Sequence, residues 1–311
     1  MNTSAAPRVS LVLGSGGARG LAHIGIIQWL EEQGYRIESI AGCSMGALVG
    51  GIYAAGELDT YRTWICALRR TDVLRFLDLA WQPNGLIKGD RIMDQLRRMV
   101  GEHMIEDLPI AFTAVATDIE RQREVWLARG PLFDAIRASI AVPTLFTPHR
   151  YRGMTLLDGG LLNPVPIAPT FRDFTDLTIA VNLNGLPADT PPEPAGTEPA
   201  EPAPAQASQD ADLRGRILEF LDGIGSNFKS DSEEEDELGM LELMTRSFET
   251  MQNAIAAVKL AAYAPDVVID VPRDVCEAHE FHRATELIEI GHRLAALAMS
   301  EHQRRARGPS A

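Results

Sequence analysis

The stretch that most constrains this chain runs from residue 37 to residue 56, IESIAGCSMGALVGGIYAAG. An apolar run closes at Ile40-Ala41, Gly42-Cys43-Ser44-Met45-Gly46 follows, and small and apolar residues then recur at helical spacing. A G-x-S-x-G match carries meaning in this setting, where a strand turns sharply into a helix. The pattern predicts a serine held on a cramped turn at the carboxyl end of a buried strand. Gly42 and Gly46 are expected there because a Cβ at either place would strike the neighbouring strand or helix. The following helix would point its positive end at the Ser44 hydroxyl. Five letters alone also describe a plain Gly-Ser turn, and the flanking pattern favours the nucleophile.

The chain around this stretch alternates strand and helix. Residues 9–13 (VSLVL) form a short apolar run of the kind buried on both faces of a sheet. A glycine-rich turn, Gly14 to Gly20, comes next, then a helical pattern that ends at Gly34. Further strands are predicted at 110–117, 124–128 (antiparallel to its predecessor), 154–158, 177–183 and 267–271. Helices are predicted at 59–70, 89–100, 131–139, 240–262 and 284–299. Such alternation implies an α/β fold, a parallel or mixed sheet with helices on both faces. Ligands then sit at the carboxyl ends of the strands, where both glycine turns lie.

Two readings compete for the first glycine turn. The dinucleotide fingerprint fails at its sixth position, which is Arg19, and has only Glu38 to offer as its acidic residue. The alternative is an anion cradle in which Gly16, Gly17 and Ala18 bare their backbone N–H groups. A serine attacking an acyl carbonyl needs such donors where the oxygen becomes negative. Asp158-Gly159-Gly160 ends another apolar run, and a strand-end aspartate beside glycines is a place for a catalytic carboxylate, although Asp-Gly-Gly is also a common turn. His279 or His282 would complete the chain order of an ordinary Ser-Asp-His triad. Without a histidine, Asp158 must itself take the serine proton, which a desolvated pocket would assist by raising its pKa.

Composition excludes some classes. A formal net charge of −14 argues against a nucleic-acid partner. Cys43, Cys66 and Cys276 are scattered, without spacing for a disulfide framework or a zinc site, and a reducing cytoplasm is the simpler location. No His, Cys and carboxylate cluster has ligand spacing, so no metal or other cofactor is expected. The amino-terminal residues do not read as a signal peptide, and no run of 18 apolar residues occurs. Residues 186–237 are rich in Pro, Ala and Glu and end in SDSEEEDE, a composition expected to be disordered. Within them, 213–221 (LRGRILEFL) is a short amphipathic pattern that could touch a membrane, or a marginal helix. Residues 73–85 read either as an apolar lid or as ordinary packing under a loop. The expected organisation is one domain, 9–183 plus 238–298, interrupted by the insertion, with flexible tails at 1–8 and 303–311.

Three motifs in order, Ser15-Gly16-Gly17-Ala18-Arg19-Gly20, Gly42-Cys43-Ser44-Met45-Gly46 and Asp158-Gly159-Gly160, closely resemble the patatin-like phospholipases. The bacterial branch akin to RssA and the catalytic domain of neuropathy target esterase is the nearest in pattern. The segment ASIAVPTLFTP at 138–148 resembles that family's run ahead of its aspartate. The resemblance implies a three-layer α/β/α fold with a mostly parallel central sheet and an acyl-ester lipid substrate. It also implies a Ser44–Asp158 dyad, with the backbone N–H groups of Gly16 and Gly17, and Ala18 as a third donor, holding the oxyanion. Arg19 matches the family's basic residue, with a role in shaping the loop. Ser15 departs from the glycine often found there, with a small effect expected. Peripheral contact with a membrane is expected only from the amphipathic pattern at 213–221, and the sequence does not set the oligomeric state. A silent scaffold with the same fold and a transacylase are the alternatives.

Overall fold

The computed structural model describes residues 6–72, 89–143, 145–187 and 240–307. Segment 73–85, the amphipathic pattern at 213–221 and nearly all of the 186–237 insertion lie outside the described residues. Residues 1–189 with 244–311 cluster as one compact unit, and 190–243 as another. The first unit is built on a single sheet.

Its strands are β1 (Arg8–Leu13), β2 (Arg36–Cys43), β3 (Ala111–Asp118), β4 (Arg123–Leu127), β5 (His149–Tyr151), β6 (Met154–Asp158), β7 (Leu177–Gly185) and β8 (Val267–Pro272). Their order is β5-β6-β3-β2-β1-β7-β8, with β4 also paired to β3. The β3-β2-β1-β7-β8 pairs are parallel, while β4, β5 and β6 join antiparallel. Helices are α1 (Ala22–Glu32), α2 (Met45–Ala54), α3 (Leu58–Ala67), α4 (Asp90–Val100), α5 (Leu132–Ser139), α6 (Met240–Tyr263) and α7 (Ala284–Arg307).

The two faces of the sheet bury different side chains, as the two-residue period of a strand requires. Along β1, Val9, Leu11 and Leu13 join the larger core with α1, α2 and α7, whereas Val12 faces the other way. Val12 and Ala180 pack with Val165, Ile167 and Ala256, the last of these on α6. The fold is therefore α/β with helices on both sides of a mostly parallel sheet.

Two boundaries differ from expectation. Arg8, placed in a flexible tail, belongs to β1 and is bonded to Asp176 through its backbone N–H and its guanidinium. The tail expected from 303 stays helical to Arg307, supported by an Arg305–Glu301 ion pair one turn back and by Gln303 bonding Tyr35. Charged residues at helical spacing continue a helix as readily as they fray one.

Candidate active site

Ser44 and Asp158 are far apart in sequence, and β3 brings them together. Its residues Ala114–Asp118 carry β4 along one edge, so strands opposite those same residues must use the other edge. That edge holds β2 as far as Cys43, opposite Val115, and then β6, whose Asp158 is opposite Ala116. The two strands thus run toward each other in one lane and meet end to end. One delivers the turn that bears Ser44, the other the carboxylate.

The turn is as tight as its glycines imply. Ser44 has φ 54° and ψ −120°, a strained conformation for a residue with a side chain, and caps the start of α2. A Cβ on Gly42 would overlap the backbone of Gly46 and Ala47, and one on Gly46 would overlap the Leu13 carbonyl of β1. Both glycines are required by close approach. The Ser44 N–H donates to Ser139 Oγ at 2.9 Å, and that hydroxyl donates in turn to the Val115 carbonyl at 2.6 Å. Ser139, at the end of α5 and fully buried, is a brace between the elbow and β3.

Asp158 is completely buried. Its Oδ1 accepts the Gly160 N–H at 2.7 Å and faces the Cys43 thiol at 3.8 Å. Oδ2 is buried with no partner at full hydrogen-bond distance. Burial raises the carboxyl from 3.8 to about 6, against smaller lowering contributions from Ser44, Gly160 and Cys43. The Ser44 side chain is thus close enough to lower the carboxyl pKa, while Oδ2 itself is not closed by a hydrogen bond.

The first glycine turn packs onto both. Gly20 lies against Met45, the residue after Ser44, and Ser15 lies against Gly160. Asn184 Nδ2 donates to the Ser15 carbonyl at 3.4 Å, and Arg19 Nε donates to the Gly16 carbonyl at 3.1 Å. In a trans peptide the next N–H points the opposite way from the carbonyl. Pinning these two carbonyls therefore points the Gly16 and Gly17 N–H groups away from Asn184 and the Arg19 guanidinium, and among the described residues neither has a partner. Ala18 does not fit the expected donor role, because its N–H is committed to the Ala278 carbonyl at 2.8 Å. Buried Arg19 also reaches the Arg273 carbonyl and Glu249, tying the turn to the residue after β8 and to α6. Beneath the turn, His23 bonds the Gly14 carbonyl at 2.9 Å; burial lowers its pKa to about 4, so the ring is neutral.

The model of the patatin-like phospholipase family matches residues 11–171, just over half the chain and all three turns. This chain belongs to that family. An uncharacterized NTE family protein of Mycobacterium tuberculosis is 40% identical over 333 residues, covering 95% of this chain and 92% of the relative. Lysophospholipase nte1 of Emericella nidulans is 34% identical over 187 residues, which are 59% of this chain and 12% of that protein. Among solved structures, VipD from Legionella pneumophila aligns over 96% of this chain and 67% of its own, at 12% identity and TM-score 0.44.

Within this patatin-like site no histidine appears among the partners of Ser44 or Asp158 in the described residues. His279 and His282, the candidates for a triad base, are both exposed. Gly159 is pressed against the Val115 carbonyl, and Gly160 against Gln252 of α6, whose amide is 3.5 Å from Ser15 Oγ. Sequence reasoning did not single out Ser139, Asn184 or Gln252. Each is a polar residue in an apolar or helical run, the one local sign that was available for them. No helix among the described residues is long and apolar enough to cross a membrane, and none of their His, Cys, Asp and Glu groups is placed to hold a metal ion.

Proposed function

We propose that this chain is a lipid acyl hydrolase that cleaves carboxylic esters through Ser44 and Asp158. The observation that carries the reading is the end-to-end meeting of β2 and β6, which brings a strained serine to a buried carboxylate of raised pKa with no imidazole between them among the described residues. Ser44 Oγ attacks the ester carbonyl and its proton passes to Asp158. The carbonyl oxygen, now negative, is met by the Gly16 and Gly17 N–H groups, donors of a kind worth about 10²–10³ in kcat each. Collapse of the tetrahedral species returns the proton to the leaving alcohol and leaves an acyl-enzyme. Asp158 then takes a proton from water, which releases the fatty acid and restores the serine. A carboxyl near 6 is ionised at neutral pH and still basic enough to accept a proton in both halves.

The substrate is an acyl-ester lipid, in keeping with family membership and with the lysophospholipase activity named for the fungal relative. A peripheral contact with a lipid surface fits the exposed Met244, Met251 and Val258, spaced seven apart along α6. The test is p-nitrophenyl ester turnover with fluorophosphonate labelling, on wild type, Ser44→Ala, Asp158→Asn and the His279→Ala/His282→Ala double variant. Loss in the first two variants with the histidine variant active supports the dyad. Loss in the histidine variant moves the protein to a triad mechanism, and an inert, unlabelled wild type leaves a scaffold. Product analysis with an added alcohol separates hydrolysis from transacylation.

A further inference from the structure

We propose that Cys43, the residue before the nucleophile, is a positioning residue for Asp158: its thiol holds Oδ1, so that Oδ2 is the oxygen that receives the Ser44 proton. The inference rests on the Ser44–Asp158 reading and adds an assignment for each carboxylate oxygen. Oδ1 is approached by two donors, the Gly160 N–H at 2.7 Å and the Cys43 Sγ at 3.8 Å. Oδ2 has none at hydrogen-bond distance and is equally buried. A carboxylate held on one oxygen has its rotation fixed and presents the other to an incoming proton.

The register explains why this side chain is available. Cys43 is the last residue of β2 and Asp158 the last of β6, opposite adjacent residues of β3. Gly159 keeps the space between them open, since a Cβ there would press on the Cys43 sulfur. The thiol stays protonated, and so remains a donor, because burial first and the Asp158 charge second push its pKa well up. Among the described residues, the charged group on another element that acts on the thiol is Glu124 on β4, which pushes it up further and lies 4.0 Å from Lys259 of α6. From α1, His23 is neutral and bonded to Gly14. A thiol is a weak donor, so it orients the carboxylate while stabilising its charge only slightly, which leaves the base strong.

Two donorless variants, Cys43→Ala and Cys43→Val, and one that keeps a donor, Cys43→Ser, test the assignment. The first readout is the acid limb of the kcat/KM profile for a p-nitrophenyl ester. The second is an infrared titration of the Asp158 carboxyl, as the difference between each protein and its Asp158→Asn counterpart, which needs no turnover. Loss of a donor to the charged form raises a carboxyl pKa. The expected result is an upward shift of about half a unit in both donorless variants, a roughly threefold loss of activity below the limb. Cys43→Ser is expected at or below the wild-type value. The proposal is overturned if the donorless variants titrate like wild type, or if Cys43→Ser shifts as they do, which is a packing effect. Should one donorless variant not fold, the other decides. A wild type without turnover refutes the hydrolase reading alone, and the infrared shift still judges Cys43.

Discussion

Replacing Asp158 by asparagine is expected to abolish turnover and at the same time to change how stability depends on pH. The carboxyl rises from 3.8 to about 6 chiefly because it is buried. Ionising it in the folded protein therefore costs about 3 kcal/mol more than in the unfolded chain, at 1.36 kcal/mol per unit. Between these two values the folded chain holds a proton that the unfolded chain has released. Wild-type stability from this group is thus greatest below 3.8 and is lost as pH rises through about 6. An amide cannot ionise and has no such slope. Its own donors at the Oδ2 position, where nothing now bonds, would cost about 1–3 kcal/mol, but that cost is the same at every pH. The difference between variant and wild type should therefore favour asparagine more at about pH 8 than at about pH 4.5, by roughly 2 kcal/mol. In a thermal melt that is a relative gain on the order of 4 °C. Differential scanning fluorimetry of both proteins across the range measures it, with all other titrating groups cancelling. A difference that is flat with pH, or that slopes the other way, refutes the argument that Asp158 is a desolvated base.

Ser139→Ala should destabilise by about 1–3 kcal/mol in urea titration, because it strands both the Ser44 N–H and the Val115 carbonyl. The same variant should lose kcat with little change in KM, since the brace acts on the elbow. Arg19→Gln frees the Gly16 carbonyl to turn and should lower kcat by roughly 10²-fold, a loss that steady-state kinetics reads directly. Gly46→Ala drives a methyl into the Leu13 carbonyl and should cost about 3 kcal/mol or more, seen as a large drop in melting temperature or as insoluble expression.

What could be read from residues alone was what depends on neighbours in the chain. The run VSLVL, the glycine elbow and the apolar strand ending in Asp158 each show their element through local period and local sterics, and the structure has strands and turns at those places. The small, bare residues beside Ala18 make it look like a third donor. Its N–H is instead taken by Ala278, some 260 positions later, which no local pattern can anticipate. Ser139, Asn184 and Gln252 were missed for the same reason: their partners on β3 and in the first glycine turn lie on other elements. The two ends of the folded unit were misjudged because polar sequence describes an ordered charged helix and a loose tail equally well.

The shared lane on β3 also makes the site a vernier. Asp158 reaches Ser44 only while β6 is paired with Ala116, Thr117 and Asp118 in one setting. A slip of one residue would slide the carboxylate by about 3.3 Å and turn it to the opposite face of the sheet, since side chains alternate. No graded or approximate version of this pairing places the Asp158 carboxylate beside the serine. Both strands also depend on β3, which follows β2 and precedes β6 in the chain, so the site closes only after its last strand has docked. A chain still emerging, or one with β6 detached, would carry the Ser44 elbow without Asp158 beside it, and so would lack the proposed dyad until β6 had docked.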